Sequence, residues 1–213
     1  MTQAIAIEKL TLQAVKQKFG LRQSTDDNFF WEWQTSLPTL SDSEQERLER
    51  IRAVYRNLGE QSVLESTVNL TIVAPLLDLA ELFLPPFRVE TETQVEVVAA
   101  DGETVIRGRL DVVIIQGLIW VLTIESKRAG FSLIVGIPQV LAYMLAAPTA
   151  QNTLYGMVTN GRNFIFVKLN RESDPVYALS QELIIDRDTD LAQTLKITKA
   201  LAGIAAKIPP SIN

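Results

Sequence analysis

The N-terminal quarter of the chain has apolar residues at helical spacing among many charged ones. They recur every three or four residues between Ile7 and Phe19. Ser41 and Glu44 form a capping-box pattern ahead of a second apolar stripe, made of Leu48, Ile51, Tyr55 and Leu58. The pattern predicts a helical N-terminal extension over residues 1–60, which is either a solvated face or a docking surface for a partner.

A longer helical stripe follows the extension. Between Ser62 and Leu84 the apolar residues recur at helical spacing, at Leu64, Val68, Ile72, Leu76, Leu79 and Phe83. Pro75 is expected to kink or split this helix, because proline lacks the N–H that the helical ladder needs. The Pro85-Pro86 pair is expected to end it.

The middle of the chain changes to the two-residue period of strands. Residues 88–99 alternate, and Asp101-Gly102 supplies a hairpin turn. A second strand is predicted over 104–115 and a third over 118–125, with a turn at Gln116-Gly117.

The last third of the chain mixes helix and strand patterns. The predicted elements are a helix over 139–147, a hairpin of 156–159 and 163–169 around Asn160-Gly161, a strand over 176–185 and a closing helix over 190–207. The order of elements predicts an α/β fold in which helices flank a central mixed sheet, with residues 61–213 forming the main domain.

Composition narrows the chemistry. The chain has no Cys and no His, which excludes disulfides, thiolate or imidazole metal sites and His-based triads. Hydrolysis would then depend on carboxylates, Lys or a hard metal ion such as Mg²⁺ or Mn²⁺. The net charge of −5 opposes a surface that grips nucleic acid everywhere, although a local basic groove is compatible with it. We expect a cytoplasmic protein without a membrane span, because the most apolar stretch, residues 110–124, is too short and contains Asp111.

Charged residues interrupt the apolar strands of the meander. Asp111 lies in RLDVVII, and Glu125 and Lys127 lie in LTIESKR. Charges among Val, Ile and Leu are costly unless they are paired or bind a metal. Glu125 and Lys127 share a face of their strand because they are two residues apart.

The turn between these two strands decides whether the carboxylates meet. A two-residue turn would pair Ile115 with Leu118, and that register would put Asp111 and Glu125 on opposite faces of the sheet. A three-residue loop or a β-bulge would bring them to one face. Two carboxylates on one face can hold a divalent cation, with Lys127 orienting water or offsetting charge. The alternative from spacing alone is a plain ion pair between Asp111 and Lys127.

The ordered set of Glu65, Asp111, Glu125-Ser126-Lys127 and Gln139 with Tyr143 resembles the PD-(D/E)XK nuclease superfamily. It is most similar to the nuclease domain at the N-terminus of type I restriction enzyme R subunits. The resemblance covers residues 60–170, and VTNGRNFIFVK is similar to the hairpin that follows the motif in that family. Leu110 stands where the family has its Pro.

The resemblance implies a restriction-endonuclease-like core and a Mg²⁺- or Mn²⁺-dependent endonuclease that hydrolyses DNA. It implies catalytic roles for Asp111, Glu125, Lys127 and Glu65, and a metal site at Asp111, Glu125 and Ser126. It also implies DNA contacts from Gln139 and Tyr143, for which a core-facing Tyr with a solvent-facing Gln is the alternative.

Three arginines near the motif are further candidates for DNA binding. Arg107 and Arg109 have the same parity as Asp111, so they either meet phosphates or pair across the strands with Glu90, Glu92 or Glu96. Arg128 follows the motif directly and adds basic character.

No phosphate-binding G-x-x-x-x-G-K-[ST] loop is present in the sequence, so the motor of a complete R subunit is missing. The nuclease would act alone, as a homo-oligomer or beside a separate motor or specificity subunit. The competing interpretations are a catalytically silent binding module and a structural α/β protein with a chance motif.

Overall fold

A mixed β-sheet with helices on both faces forms the centre of the molecule, as seen in a computed structural model. The structure describes residues 3–34, 36–59, 63–99, 102–117, 119–128, 130–148 and 150–207. These residues form nine strands in one sheet. The predicted α/β class with a mixed, helix-flanked sheet is confirmed.

The meander predicted from the two-residue period is present. Its strands are β3 (Arg88–Val98), β4 (Thr104–Gln116) and β5 (Ile119–Ser126), and they pair antiparallel. Strand β5 then pairs parallel with β6 (Thr153–Thr159), which forms the predicted hairpin with β7 (Asn163–Asn170). The strand predicted over 176–185 is divided into β8 (Val176–Leu179) and β9 (Leu183–Ile184), both paired with β7.

The helices cover the two faces of this sheet. On one face lies α6 (Ile137–Ala146), whose side chains are almost all buried. On the other face lie three further helical segments, which enclose a second apolar core: α3 (Asp42–Leu58), the segment that begins at Glu65, and α7 (Asp190–Ala206). The capping box predicted at Ser41 and Glu44 is present at the start of α3. No helix in the described ranges has both the length and the apolar character needed to cross a membrane.

The expectation of a separate, purely helical extension over residues 1–60 is wrong. Strand β1 (Gln3–Ala6) pairs parallel with β4, and β2 (Arg22–Gln23) pairs parallel with β8. The two short helices of this segment, α1 (Leu12–Phe19) and α2 (Trp31–Gln34), lie between β1 and α3 in the chain. Leu48 and Ile51 of α3 are buried in the core. The segment is therefore part of the same sheet and core as the rest of the chain.

The helix predicted around Pro75 is interrupted by a π-helical turn. It consists of α4 (Glu65–Val68), the π turn (Asn69–Val73) and α5 (Ala74–Leu79). Proline has no N–H to donate, so the hydrogen-bond ladder is irregular immediately before Pro75. Turns of this kind are frequent at functional sites, and here the π turn begins at Asn69, beside the predicted carboxylate cluster.

Candidate active site

Asp111 and Glu125 stand opposite each other where β4 and β5 separate. Near the turn the register is odd, with Gln116 opposite Ile119, and a β-bulge then shifts it. Beyond the bulge Val112 pairs with Ile124, so the next two positions outward are Asp111 and Glu125. The bulge that the sequence required for a shared carboxylate face is therefore present.

A second irregularity lies at Asp111 on the opposite side of β4. The pairing of β3 with β4 omits Glu92 and Asp111, and Glu92 has a φ of 53°. Val95 and Val97 contact the core below α6, whereas Val89 contacts the other core. The face of the sheet to which the odd-numbered side chains of β3 point thus reverses at Glu92. Asp111 lies opposite Glu92 on β4, at this irregularity.

The Asp111 carboxylate is fixed by the main chain of β5. Its Oδ2 accepts a hydrogen bond of 2.7 Å from the N–H of Ser126. Burial raises the pKa of Asp111, and the hydrogen bond from Ser126 and the charge of Lys127 oppose this rise. The carboxylate also lines an open groove of about 580 Å³, which is where a ligand could approach it.

Glu125 is almost completely buried, and only one of its oxygens has a partner. Lys127 Nζ lies 2.5 Å from Glu125 Oε1, whereas the buried Oε2 has no hydrogen-bond partner among the described residues. Burial, followed by repulsion from Asp111, raises the pKa of Glu125 to about 8. The alternative of an ion pair between Asp111 and Lys127 is wrong, because Lys127 pairs with Glu125. An unpartnered oxygen in a buried carboxyl group is costly, and it leaves a free ligand position.

Glu65 approaches the carboxylates from α4, as predicted. It lines the same groove as Asp111, and its charge raises the pKa of both Asp111 and Glu125. Asn69, one helical turn later, accepts a hydrogen bond from the Ser126 hydroxyl through its Oδ1. Asn69 was not among the site residues predicted from the sequence. Its four-residue spacing from Glu65, which places both on one helix face, was the signal that could have identified it.

The donor set fits a hard divalent cation. Among the described residues, no group of three or more Asp or Glu side chains is already arranged as a metal cage. Asp111 and the unpartnered Oε2 of Glu125 nevertheless supply two oxygen donors of the kind that Mg²⁺ and Mn²⁺ prefer. Their raised pKa values reflect burial of negative charge that a cation would offset.

The two residues predicted to contact DNA from α6 are buried instead. Tyr143 is 1% exposed, and its hydroxyl donates to the Arg109 carbonyl over 2.8 Å. Gln139 is 4% exposed, and its buried Oε1 has no hydrogen-bond partner among the described residues. Direct contact with DNA is therefore the wrong role for Tyr143, because its ring and hydroxyl are both occupied inside the protein. The alternative of a core-facing Tyr is confirmed, but its solvent-facing Gln is wrong, because Gln139 is buried too. The same burial opposes a DNA contact from the Gln139 side chain.

The arginines of β4 pair across the strands. Arg107 Nε lies 2.6 Å from Glu96, and Arg109 lies 3.4 Å from Glu92. This confirms the alternative of cross-strand pairing, although both side chains remain exposed. Arg109 and Arg128 line the groove beside Asp111, and Arg128 has no ion-pair partner among the described residues. Three of the basic side chains near the site are therefore paired with acids: Arg107, Arg109 and Lys127.

No protein-family model matches the chain, and no curated protein matches it. The function is therefore inferred from the geometry of the site.

Proposed function

We propose that this chain is a Mg²⁺- or Mn²⁺-dependent endonuclease that hydrolyses phosphodiester bonds in DNA, built on a restriction-endonuclease-like core. One observation carries the proposal. A β-bulge brings Asp111 opposite Glu125-Ser126-Lys127 at the point where two strands separate, with Glu65 on the facing helix and one buried carboxylate oxygen unpartnered.

The role of each residue follows from its contacts. Asp111 and Glu125, with Ser126 beside them, would hold the cation. When bound, the cation polarises the phosphodiester and lowers the pKa of a water molecule. Lys127 Nζ lies 2.5 Å from Glu125 Oε1, where it can donate to the attacking water or offset charge that develops on the phosphate. Asp111 is held in place by the Ser126 N–H, so its carboxylate is oriented before substrate arrives.

DNA is the partner that we propose for this chemistry. The paired arginines on β4 leave little free positive charge, so a cation at the carboxylates would supply much of the attraction for phosphate. The nuclease would act alone, as a homo-oligomer or beside a separate motor or specificity subunit. We also propose a cytoplasmic location.

A silent binding module is the second candidate, and one contact favours it. Lys127 Nζ already contacts Glu125 Oε1, as in a purely structural pair. In that case Lys127 would contribute to stability and not to cleavage.

Replacement of Lys127 by alanine separates the two candidates, with Lys168→Ala as the matched control. Lys168 also forms a buried ion pair, 2.5 Å from Glu32, in another part of the sheet. Plasmid nicking would be measured with Mg²⁺ and with Mn²⁺ on protein shown to be folded. The proposal expects Lys127→Ala to abolish nicking and Lys168→Ala to retain it. No nicking by the native chain would support the silent module, whereas nicking that Lys127→Ala leaves unchanged would show that Lys127 has no part in cleavage.

A further inference from the structure

The groove beside Asp111 has one apolar wall and one charged end. The wall includes Leu64, Leu70, Val73, Leu77, Phe83 and Val89. The charged end contains Arg109 and Arg128 together with three acids, Glu65, Glu92 and Asp111. The groove, of about 580 Å³, falls within the range of small-molecule and nucleotide sites.

Part of this wall is exposed to an unusual degree. Leu70 is 73% exposed, Leu64 is 52% exposed and Phe83 is 46% exposed. Single exposed apolar residues are common, but a cluster beside charged groups marks a binding surface. The three side chains come from two neighbouring segments, α4 with its π turn and the residues after α5, so the fold holds them together.

We infer that this groove binds an unpaired nucleotide, and that single-stranded or locally unpaired DNA is therefore the preferred substrate. The inference rests on the proposed function, because it places the phosphate beside Asp111. A nucleotide is divided in the same way, into an apolar base face and a charged phosphate, and the cation of the proposed function would offset the acids that the phosphate meets.

Duplex DNA fits the groove less well. Its bases are stacked inside the helix, so a duplex on this surface would leave the apolar wall in contact with water. An unpaired base can stack on the Phe83 ring beside Leu70, and stacking on an aromatic ring tolerates any sequence. Arg128, which has no ion-pair partner among the described residues, is available to a phosphate at the charged end.

The test compares the binding of one sequence as a single strand and as a duplex. Fluorescence anisotropy would be measured in Ca²⁺, which accepts the same oxygen ligands as Mg²⁺. Leu70→Ser alters the wall, and Val98→Ser, at a side chain 55% exposed outside the groove, is the control. We expect the single strand to bind at least about tenfold more tightly than the duplex, and Leu70→Ser to remove about tenfold of that affinity. Val98→Ser should change neither value.

Equal affinity for the two forms, or equal loss for both in Leu70→Ser, would overturn the inference. So would a dimer, seen by sedimentation, that Leu70→Ser dissociates, because the apolar wall would then be a contact between copies of the chain. The proposed function is tested separately by nicking in Mg²⁺. If the protein binds single strands through Leu70 but does not cleave DNA, only the proposed nuclease activity is wrong. If it cleaves DNA but does not prefer single strands, only the inference about the groove is wrong.

Discussion

The N–H of Ser126 donates a 2.7 Å hydrogen bond to Oδ2 of Asp111, so a side chain continues the contact between β4 and β5 beyond their last paired residues. This bond joins the two halves of the candidate site. It fixes the Asp111 carboxylate and the main chain that carries Glu125 and Lys127. Changes on either strand should therefore affect both.

The stability of the protein should depend on pH through Glu125. The pKa of Glu125 is raised from 4.5 to about 8, so the folded protein keeps a proton that the unfolded chain loses near pH 4.5. The free energy of unfolding should fall as pH rises between these values and level off above them, by up to about 1.4 kcal/mol per pH unit.

Denaturant unfolding across this pH range, without divalent ions, measures the effect. Glu125→Gln should remove most of the slope, because the amide does not titrate. Glu172→Gln, at an exposed position, should leave the slope intact. Mg²⁺ should also reduce it, since the cation competes with the proton. An unchanged slope in Glu125→Gln would show that this carboxyl group ionises normally.

Gly136 lies against the pair formed by Glu125 and Lys127, so alanine at this position should disturb that pair. A Cβ atom there would lie 2.6 Å from Val158 Cγ1, 3.3 Å from Lys127 Cε and 3.5 Å from Glu125 Cγ. We expect Gly136→Ala to destabilise the fold by about 1–3 kcal/mol and to lower nicking in protein that remains folded.

Gly203→Ala is the control for Gly136→Ala. Among the described residues, no atom beyond the adjacent residues and the helix backbone lies within 4 Å of a Cβ at Gly203 in α7. Alanine should therefore stabilise that helix by roughly 0.5–1 kcal/mol and leave nicking unchanged. Full activity in Gly136→Ala would mean that the pair tolerates displacement.

Asn69 and Ser126 should act as a single unit. The Ser126 hydroxyl donates to Asn69, and Ser126 is fully buried. In a double-mutant cycle, Asn69→Ala and Ser126→Ala should show a coupling of about 0.5–3 kcal/mol in the free energy of unfolding. Additive effects of the two substitutions would show that the contact contributes nothing.

Local patterns predicted most of the elements but not the ends of the sheet. The two-residue period located β3, β4 and β5, and Asn160-Gly161 marked the β6–β7 hairpin. Strands β1 and β2 were not predicted because they are short and their partner strands are far away in the sequence. Gln3, for example, pairs with Thr104, and no local signal encodes such a contact.

The candidate site was predictable where backbone parity controls it. The requirement that Asp111 and Glu125 meet allowed a three-residue loop or a bulge, and the structure has the bulge. The burial of Tyr143 was predicted only as an alternative, because it depends on the close approach of α6 to Gly108, where a Cβ would lie 3.0 Å from the Tyr143 hydroxyl. The reversal at Glu92 depends on a positive φ at a non-glycine residue, which sequence patterns do not reveal.

Nicking by Asp111→Asn is the measurement that decides whether Asp111 holds a cation needed for cleavage. Asparagine keeps an oxygen that can accept the Ser126 N–H but removes the negative charge that a cation needs. With Mg²⁺ or Mn²⁺ we expect at least about a hundredfold loss of nicking, about 2.7 kcal/mol of transition-state stabilisation. The melting temperature in the absence of metal should stay the same or rise, because burial raises the pKa of Asp111 and disfavours its charged form. Asp174→Asn, at an exposed carboxylate paired with Arg22, should retain full activity. Nicking that persists in a metal chelator, or that is unchanged in Asp111→Asn, would contradict the account.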